Sequence, residues 1–542
     1  AGNVALVGGA DTSAYAQIGH GGALSNFGTT VAFSDTGDIS LSGAIVSLAA
    51  GSGTGAYAQV GHGGYDAGAE ATLSSGSIVI SGSINLAATG NLVMSGNSGT
   101  GAYAQIGNGG ANTSGSESGA ISVIAAGNVA LVGGADTSAY AQIGHGGALS
   151  NFGTTVAFSD TGNITLSGAI VSLAAGTGTG AYAQVGHGGY DAGADAAISS
   201  GSILISGSIN LTATGNLVMS GSSGTGAYAQ IGNGGFGADT HATVLAGGTI
   251  SETGDIVIAT GTSGSAGTIV ITGDAYSQIG NGGYDENSGA SASGISEGGD
   301  ISLSLNGGTG TINAGNEGNF AYGQVGNGDA AHTSTGDVSG NIDVSSSGPW
   351  TLNGSPSAPA WMWNATGSGS VAGSTSIDGS PFLPPGTEPP PPPPPPSTTS
   401  GPSSSDVNSI LSTTTLPSDL GSPPPGTGSG DTTSLAGSLN AIAPTAGPGA
   451  IELLTDSSGG GATGEAPAGA GQEADQLSSA LALSLTKVSA PATQASSCVR
   501  SNSGATILCQ IAPEPGAGQT PVGVQSADQT YSSWGNESLW QD

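Results

Sequence analysis

The sequence predicts an all-β protein: a parallel β-helix (β-solenoid) followed by a disordered tail rich in Pro, Gly and Ser. Three observations predict this fold: a long internal repeat, a shorter tyrosine-marked repeat inside it, and short apolar–polar alternation after turn residues. Helices fit poorly, since 103 of the 542 residues are glycine. Each glycine inside a helix costs about 1 kcal/mol relative to alanine.

The long repeat has a period of 125 residues. The segment AGNVALVGGADTSAYAQIGHGG begins at Ala1 and recurs at Ala126, so two near-identical copies fill residues 1 to about 250. Two divergent units follow, and we assign residues 1–345 to the solenoid. Because Ala1 falls inside a repeat, we expect the chain to be a fragment or a processed form of a longer protein.

The shorter repeat is written AYAQ(I/V)G(H/N)GG and recurs every 37 to 48 residues. Its tyrosines are Tyr15, Tyr57, Tyr103, Tyr140, Tyr182, Tyr228, Tyr276 and Tyr322. We expect coils of about 20 residues with three strands, so that each unit makes two coils and the array roughly 16, a rod of about 75–80 Å. Tyrosines two coils apart would lie roughly 10 Å apart, so each is expected to pack on its own coil. A ligand-stacking row is the alternative.

A third pattern places a turn residue before a short strand. Gly37-Asp38-Ile39-Ser40-Leu41 and Gly254-Asp255-Ile256-Val257-Ile258 are examples. The apolar–polar–apolar alternation is typical of a half-buried strand.

The repeated strand–turn–strand sequence, of the type GNITLSGAIVSL in an acidic, lysine-poor chain, resembles the sequences of the filamentous-haemagglutinin-like exoproteins. These are the large adhesins of bacterial two-partner secretion. The resemblance covers about residues 1–345 and implies a right-handed parallel β-helix.

Polar residues recur at fixed places in the shorter repeat. Gln59, Gln105, Gln184 and Gln230 follow the tyrosine by two residues and are expected to form buried amide ladders. The variable position of IGxGG is His20, His62, His145 and His187 in some copies and Asn108, Asn233, Asn281 and Asn327 in others. We interpret it as a turn position that tolerates a left-handed backbone, with metal ligation as the alternative.

Composition and charge narrow the functions. The chain has 36 acidic and 2 basic residues and a formal net charge of −34. Two cations cannot neutralise a phosphate backbone, so nucleic acid is not an expected partner. An enzyme that acts on acidic polysaccharides would need basic residues within the array. The two basic residues, Lys487 and Arg500, lie outside it. We expect no enzyme activity, catalytic residue, cofactor or metal, with a carbohydrate-active β-helix as an alternative.

Acidic residues also follow several IGxGG segments. They are Asp66, Glu70, Asp191, Asp195, Asp285 and Glu286. Weak calcium binding is one interpretation, but the nine-residue period of calcium-binding Gly-Asp repeats is missing. We favour a solvated face that keeps the protein soluble.

Large apolar residues appear where the array ends. Trp350, Trp361 and Trp363 mark a segment, residues 346–383, that we expect to cap the open end of the solenoid. An exposed docking patch is the alternative. Residues 384–470 include eight consecutive prolines, Pro389–Pro396, and are expected to form a disordered linker.

The last segment, residues 471–542, holds a weak helical pattern at 472–488 and the two cysteines. Cys498 and Cys509 are expected to form a disulfide, since two cysteines in an exported chain usually pair. The residues Asn502–Gly504 between them suit a hairpin turn. The resemblance implies that a loop of this kind is held by an outer-membrane transporter and tethers the fibre.

Together these features predict a secreted or cell-surface adhesin of a Gram-negative bacterium. Its expected partners are glycans or proteins of host cells, neighbouring cells or a biofilm matrix. A self-assembling extracellular fibre, which would require self-association, is the alternative.

Overall fold

A computed structural model describes residues 2–382, with gaps at 74–75, 316–320, 330–334, 356–357 and 367, and the strands 497–500 and 507–510. Residues 1–471 and 472–542 are separate units. The described part of the first unit is a right-handed parallel β-helix built from four long sheets, so the predicted fold class is confirmed.

Among the described residues, sheets 1, 2 and 4 take one parallel strand from each of nine turns, and sheet 3 takes one from each of the first eight. Sheet 1 contains β1 (Val4–Val7), β5 (Val46–Ala49), β9 (Leu92–Ser95), β13 (Val129–Val132), β17 (Val171–Ala174), β22 (Leu217–Ser220), β27 (Ile269–Gly273), β31 (Gly310–Ala314) and β35 (Trp350–Asn353). Sheet 2 contains β2 (Tyr15–Ile18), β6 (Tyr57–Val60), β10 (Tyr103–Ile106), β14 (Tyr140–Ile143), β18 (Tyr182–Val185), β23 (Tyr228–Ile231), β28 (Tyr276–Ile279), β32 (Tyr322–Val325) and β36 (Ala360–Met362).

The other two sheets complete each turn. Sheet 3 contains β3 (Phe33–Thr36), β7 (Ile78–Ser81), β11 (Ser116–Ser118), β15 (Phe158–Thr161), β20 (Ile203–Ser206), β25 (Ile250–Thr253), β29 (Ile295–Gly298) and β33 (Asp337–Ser339). Sheet 4 contains β4 (Ile39–Gly43), β8 (Ile84–Ala88), β12 (Ile121–Ala125), β16 (Ile164–Gly168), β21 (Ile209–Ala213), β26 (Ile256–Thr260), β30 (Ile301–Leu305), β34 (Ile342–Ser346) and β37 (Thr375–Ile377), with β38 (Ser380–Pro381) antiparallel at its end.

One tyrosine unit is one turn of the helix, which we call a rung. Tyr15 pairs directly with Tyr57, and Tyr57 with Tyr103. The expectation of two 20-residue coils per unit is therefore wrong: a rung has four strands and spans the whole unit. The 125-residue repeat is three rungs, since Val4 pairs with Val46, Val46 with Leu92 and Leu92 with Val129. Sheets 1 and 2 each have nine strands. The stack is thus roughly 40 Å long instead of 75–80 Å.

The main hydrophobic core lies inside sheets 1, 2 and 4. Strand β8 shows the pattern: Ile84, Leu86 and Ala88 are buried, while Asn85 and Ala87 are exposed. Successive side chains of a strand point to opposite faces, so the apolar–polar alternation of the sequence places the aliphatic side chains inside the solenoid. Equivalent strands in consecutive rungs extend each column along the axis.

Sheet 2 differs because both of its faces are covered. Ala58 and Val60 of β6 point into the main core, while Tyr57 belongs to a separate buried cluster on the other face. A long loop follows sheet 2 in each rung, for example residues 19–32 in the first and 232–249 in the sixth. The loops include the short parallel pair β19 (Ala197–Ile198) and β24 (Thr243–Val244).

Glycine is required where sheet 2 ends. Gly61 has a φ of +156°, and a Cβ there would overlap the carbonyl oxygen of Gly107 in the next rung. The rungs are stacked too closely for any side chain at this corner, which explains the first glycine of IGxGG.

The aromatic segment continues the solenoid as its ninth rung. Strand β35 pairs in parallel with Gly310–Asn313, and β36 pairs with β32. Trp350 and Trp363 pack against the end of the main core, and Trp361 packs against the tyrosine cluster. All three indoles are half-buried.

The described strands of the second unit form a hairpin. Strands β39 (Ser497–Arg500) and β40 (Ile507–Gln510) pair antiparallel with Cys498 opposite Cys509, as the predicted hairpin turn requires. The predicted linker at 384–470 and helix at 472–488 lie outside the described residues. Where the chain is described, it contains no helix with the length and apolar character needed to cross a membrane.

Candidate functional site: a loop-covered polar compartment

The long loops enclose a second compartment between the outer face of sheet 2 and sheet 3, which we call the polar compartment. Three kinds of side chain point into it from each of the first eight rungs, namely tyrosine, glutamine, and histidine or asparagine, and most of these rungs add a carboxylic acid. The YAQ strands from β6 to β23 are buried at all four positions, since core covers one face and loop the other.

The tyrosines stack along the compartment. Neighbouring ring centroids are 4.7–5.0 Å apart and the rings are nearly parallel from Tyr15 to Tyr322. The expectation that they would not touch is wrong, because they lie one rung apart and not two. Seven of them are fully buried and Tyr15 is 50% exposed.

The glutamines bond to the backbone of the next rung. Nε2 of Gln59 donates to the carbonyl oxygens of Gly107 and Gly109, at 3.0 and 2.8 Å. Gln105, Gln184 and Gln230 repeat the pattern. These bonds replace the expected amide-to-amide ladder, and they satisfy carbonyls at the corner where sheet 2 ends.

The variable position of IGxGG forms a side-chain ladder. The backbone N–H of His20 donates to Nδ1 of His62 (2.9 Å), and that of His62 donates to Oδ1 of Asn108 (3.0 Å). At the far end, Nε2 of His62 donates to the oxygen of Gly37, and Nδ2 of Asn108 donates to that of Gly82.

Histidine and asparagine interchange because each offers an acceptor on one side and a donor on the other. His145, His187, Asn233, Asn281 and Asn327 continue the ladder. All eight residues lie in the bend that follows a sheet 2 strand, but none has a left-handed backbone, so that part of the interpretation is wrong. The bond to Nδ1 requires a neutral ring. Burial lowers the pKa of His145 to about 3 and that of His187 to about 4, with His187 also lowering the pKa of His145.

A column of buried acids on sheet 3 is the feature that the sequence analysis missed. Register aligns one inward position through the first eight rungs: Asp35, Ile80, Glu117, Asp160, Ile205, Glu252, Glu297 and Val338. Glu117, Asp160, Glu252 and Glu297 are fully buried. The signal was present, since each acid stands two residues before the glycine that precedes a sheet 4 strand, as in Asp160-Thr161-Gly162.

The loops bring further acids onto this column. Asp239, Glu286 and Asp329 are fully buried. The expectation that Glu286 belongs to a solvated face is therefore wrong. Its carboxyl group lies where a Cβ of Gly234 would stand, and Glu297 lies in the same way against Gly282. The second glycine of IGxGG thus makes room for the acids.

The remaining acids of the loops lie at their outer turns. Asp66, Glu70, Asp191, Asp195 and Asp285 all have left-handed φ values of 51–57°. Burial raises the pKa of Asp191 to about 7. Among the residues that the structure describes, no group of three His, Cys, Asp or Glu side chains is placed to hold a metal ion.

The outer surface of the loops carries exposed apolar side chains. Phe27 and Phe152 are each 45% exposed, and Leu24 and Leu245 are also exposed. Phe27 and Phe152 occupy equivalent positions in two copies of the segment GGALSNFGTT, three rungs apart. We call this surface the loop face.

Comparisons of the chain with protein-family models, curated proteins and solved structures find no match.

Proposed function

We propose that the protein is a non-enzymatic extracellular adhesin that attaches through its loop face to cells, surfaces or a biofilm matrix. The observation that carries this proposal is the stacking of the loops in register. Leu24 N–H donates to the oxygen of Tyr65, Leu149 N–H to that of Tyr190, and Gly237 N–H to that of Tyr284. A β-helix therefore displays a row of similar loops, one for each rung, about 4.8 Å apart.

Such a row suits weak binding to many copies of a target. Each additional contact made by a rigid array is intramolecular, so the avidity exceeds the affinity of one loop. The exposed phenylalanines supply apolar contacts without charge, and the acidic rod keeps its own copies apart. Surface glycans and proteins, both multivalent, are the partners that this arrangement favours.

The same proposal places the protein with the filamentous-haemagglutinin-like exoproteins, exported across a Gram-negative outer membrane. In this view the hairpin β39–β40 is the tether: a disulfide joins Cys498 and Cys509 and an outer-membrane transporter holds the loop. The cross-strand pairing of the two cysteines is compatible with a disulfide. Mass spectrometry of the secreted chain under non-reducing conditions tests the bond.

Beads coated with the full chain test adhesion to epithelial cells, bacterial cells and a glycan array. The double variant Phe27→Ser and Phe152→Ser is expected to lower adhesion at least severalfold, since exposed aromatic residues dominate interface energetics. The matched control, Ile124→Ser with Val257→Ser, removes two apolar side chains that are 53% and 43% exposed on sheet 4. Equal adhesion of both variants and the parent chain would contradict the loop face as the binding surface.

A self-assembling fibre is the second candidate, and one observation favours it. Identical residues pair in register along sheet 2, such as Tyr103 with Tyr140, so any rung is a template for another. Electron microscopy of the purified chain separates the candidates: polymers that lengthen with concentration support the fibre, and single rods support the adhesin.

A further inference from the structure

We propose that two clusters of carboxyl groups in the polar compartment share protons, and that these protons lock the long loops onto sheet 3 until the pH rises. The upper cluster consists of Asp239, Glu252, Glu286 and Glu297. The lower cluster is the pair Glu117 and Asp160. This lock is independent of whether the loop face binds cells.

The upper cluster joins loops to strands. Glu252 on β25 and Glu297 on β29 are register partners in sheet 3. Asp239 and Glu286 come from the loops of the sixth and seventh rungs, and the carboxyl group of each lies beside that of Glu252, where a shared proton would join the two groups. Nδ2 of Asn287, from the same loop as Glu286, donates to Glu252 and Glu297 at 3.0 and 3.1 Å. In the sixth and seventh rungs, the loop side chains that point inwards therefore face carboxyl groups of sheet 3.

A hydrogen bond between two carboxyl groups needs a proton on one of them, since an ionised carboxylate only accepts. Both oxygens of Asp239 and of Glu286 are buried without a hydrogen-bond donor, and so is Oε1 of Glu252. The fully buried Oδ1 of Asn287 also has no donor, so it is an acceptor available to a protonated carboxyl group of the cluster. Protonated acids supply the missing donors.

The groups that face the upper cluster are acids and phenols. They are Asp329 from the next loop, Asp160 from the lower cluster, and Tyr228, Tyr276 and Tyr322 from sheet 2. The two bases of the chain, Lys487 and Arg500, lie outside the solenoid sequence. Four ionised carboxylates in this setting would each lose their hydration without gaining a counter-charge. Burial accordingly raises the pKa of Asp239, Glu286 and Glu297 well above the usual range.

The lower cluster repeats the arrangement with two groups. The backbone N–H of Glu117 donates to Oδ1 of Asp160 (3.3 Å), and Nδ2 of Asn151 in the loop donates to Glu117 (3.4 Å). Burial raises the pKa of Glu117 well above its usual range and that of Asp160 to about 6. The histidines beside this pair, His145 and His187, are neutral and bond to the carbonyls of Gly119 and Gly162.

The direction of the pH effect follows from these shifts. The folded state holds protons that the unfolded state releases near pH 4, so the stabilisation is complete below that pH. It is lost as the pH rises through the raised values. The column provides its own control, because Ile80 occupies in the second rung the position that the acids occupy elsewhere.

Hydrogen–deuterium exchange of the full chain at pH 6 and pH 9, corrected for the intrinsic rate, tests the lock. We expect exchange of residues 232–249 and 280–294 to accelerate at least tenfold more than that of residues 61–73, which cover Ile80. Equal acceleration in all three loops would overturn the proposal. So would full protection at pH 9 that depends on added Ca²⁺, since cations would then be the balancing charge.

Infrared spectroscopy provides a second readout that needs no unfolding. The wild type at pH 7 is expected to show the C=O stretch of protonated carboxylic acids, and Glu252→Gln with Glu297→Gln is expected to weaken it. Glu70→Gln, an exposed acid, is the matched control and should leave the band unchanged. Absence of the band from the wild type at pH 7 contradicts shared protons even if the double variant fails to fold.

Discussion

At the scale of the residue, the polar compartment selects side chains by the placement of donors and acceptors. His62 and Asn108 fill the same position in consecutive rungs and make equivalent bonds at both ends. A substitution is therefore tolerated when it keeps an acceptor towards the preceding rung and a donor towards sheet 4.

The substitution His145→Asn is expected to change the free energy of unfolding by less than about 1 kcal/mol, while His145→Ala lowers it by about 2–4 kcal/mol. Alanine leaves the N–H of Asn108 and the carbonyl of Gly119 without partners. Urea unfolding followed by circular dichroism measures both. Equal loss in the two variants would show that the ladder does not depend on these bonds.

Acid should destabilise the same ladder. Neutral His145 and His187 have lowered pKa values, about 3 and 4, so the folded state resists protons that the unfolded chain takes up near pH 6.5. Their contribution is complete above pH 6.5 and is lost progressively as the pH falls from 6.5 towards those lowered values. Thermal unfolding at pH 7 and pH 4 should show a smaller drop for His145→Asn with His187→Asn than for the exposed control His241→Asn.

At the scale of the element, the loops convert sheet 2 from a solvent-facing sheet into a buried one. The tyrosines are the largest fully buried side chains of the compartment, and their stacked rings link each rung to the next. Aromatic pairs contribute about 0.5–1.5 kcal/mol beyond the area they bury. The tyrosine stack is thus one of the main interactions that hold neighbouring rungs together in the polar compartment.

Truncation in the middle of the stack should be severe. Tyr182→Ala is expected to lower the free energy of unfolding by about 3–5 kcal/mol, since it leaves a cavity between two rings. Tyr182→Phe removes only the hydroxyl that donates to Oε1 of Gln142, at 3.3 Å, and should cost about 1 kcal/mol. Tyr15→Ala, at a half-exposed ring, is the control and should cost less. Chemical denaturation of the three variants decides the order.

At the scale of the whole solenoid, each rung contacts its neighbours in four sheets and in the loops, so stability is nearly a sum over rungs. Coupling in register means that the solenoid can change length only by whole rungs. The 125-residue duplication obeys this rule, because it inserts three rungs.

Deleting one whole rung should therefore be tolerated. Removal of residues 129–170 joins Asn128 to Val171, the register partner of Val129, and is expected to leave an eight-rung solenoid. Removal of residues 129–149, half a rung, should abolish cooperative unfolding because strands of different sheets would be brought opposite one another. Circular dichroism melts compare the two. A folded half-rung deletion would contradict the four-strand rung.

The repeated sequence determined the β-solenoid and the inward and outward faces of its strands. Those features depend on local alternation and on glycine, which are visible in a line of sequence such as Gly254–Ile258. The number of strands in a rung could not be predicted from local sequence. It depends on which strands pair with each other when they are about 42 residues apart, and two coils of three strands would fit the same spacing.

Only the tertiary structure decided what the polar residues do. A single sequence shows that Tyr, Gln, His and Glu recur, but not that a loop closes over them and removes them from water. Once enclosed, a tyrosine becomes part of a stack, a histidine must stay neutral, and an acid must find a proton or a donor. Burial sets these roles, and burial comes from the stacking of distant rungs.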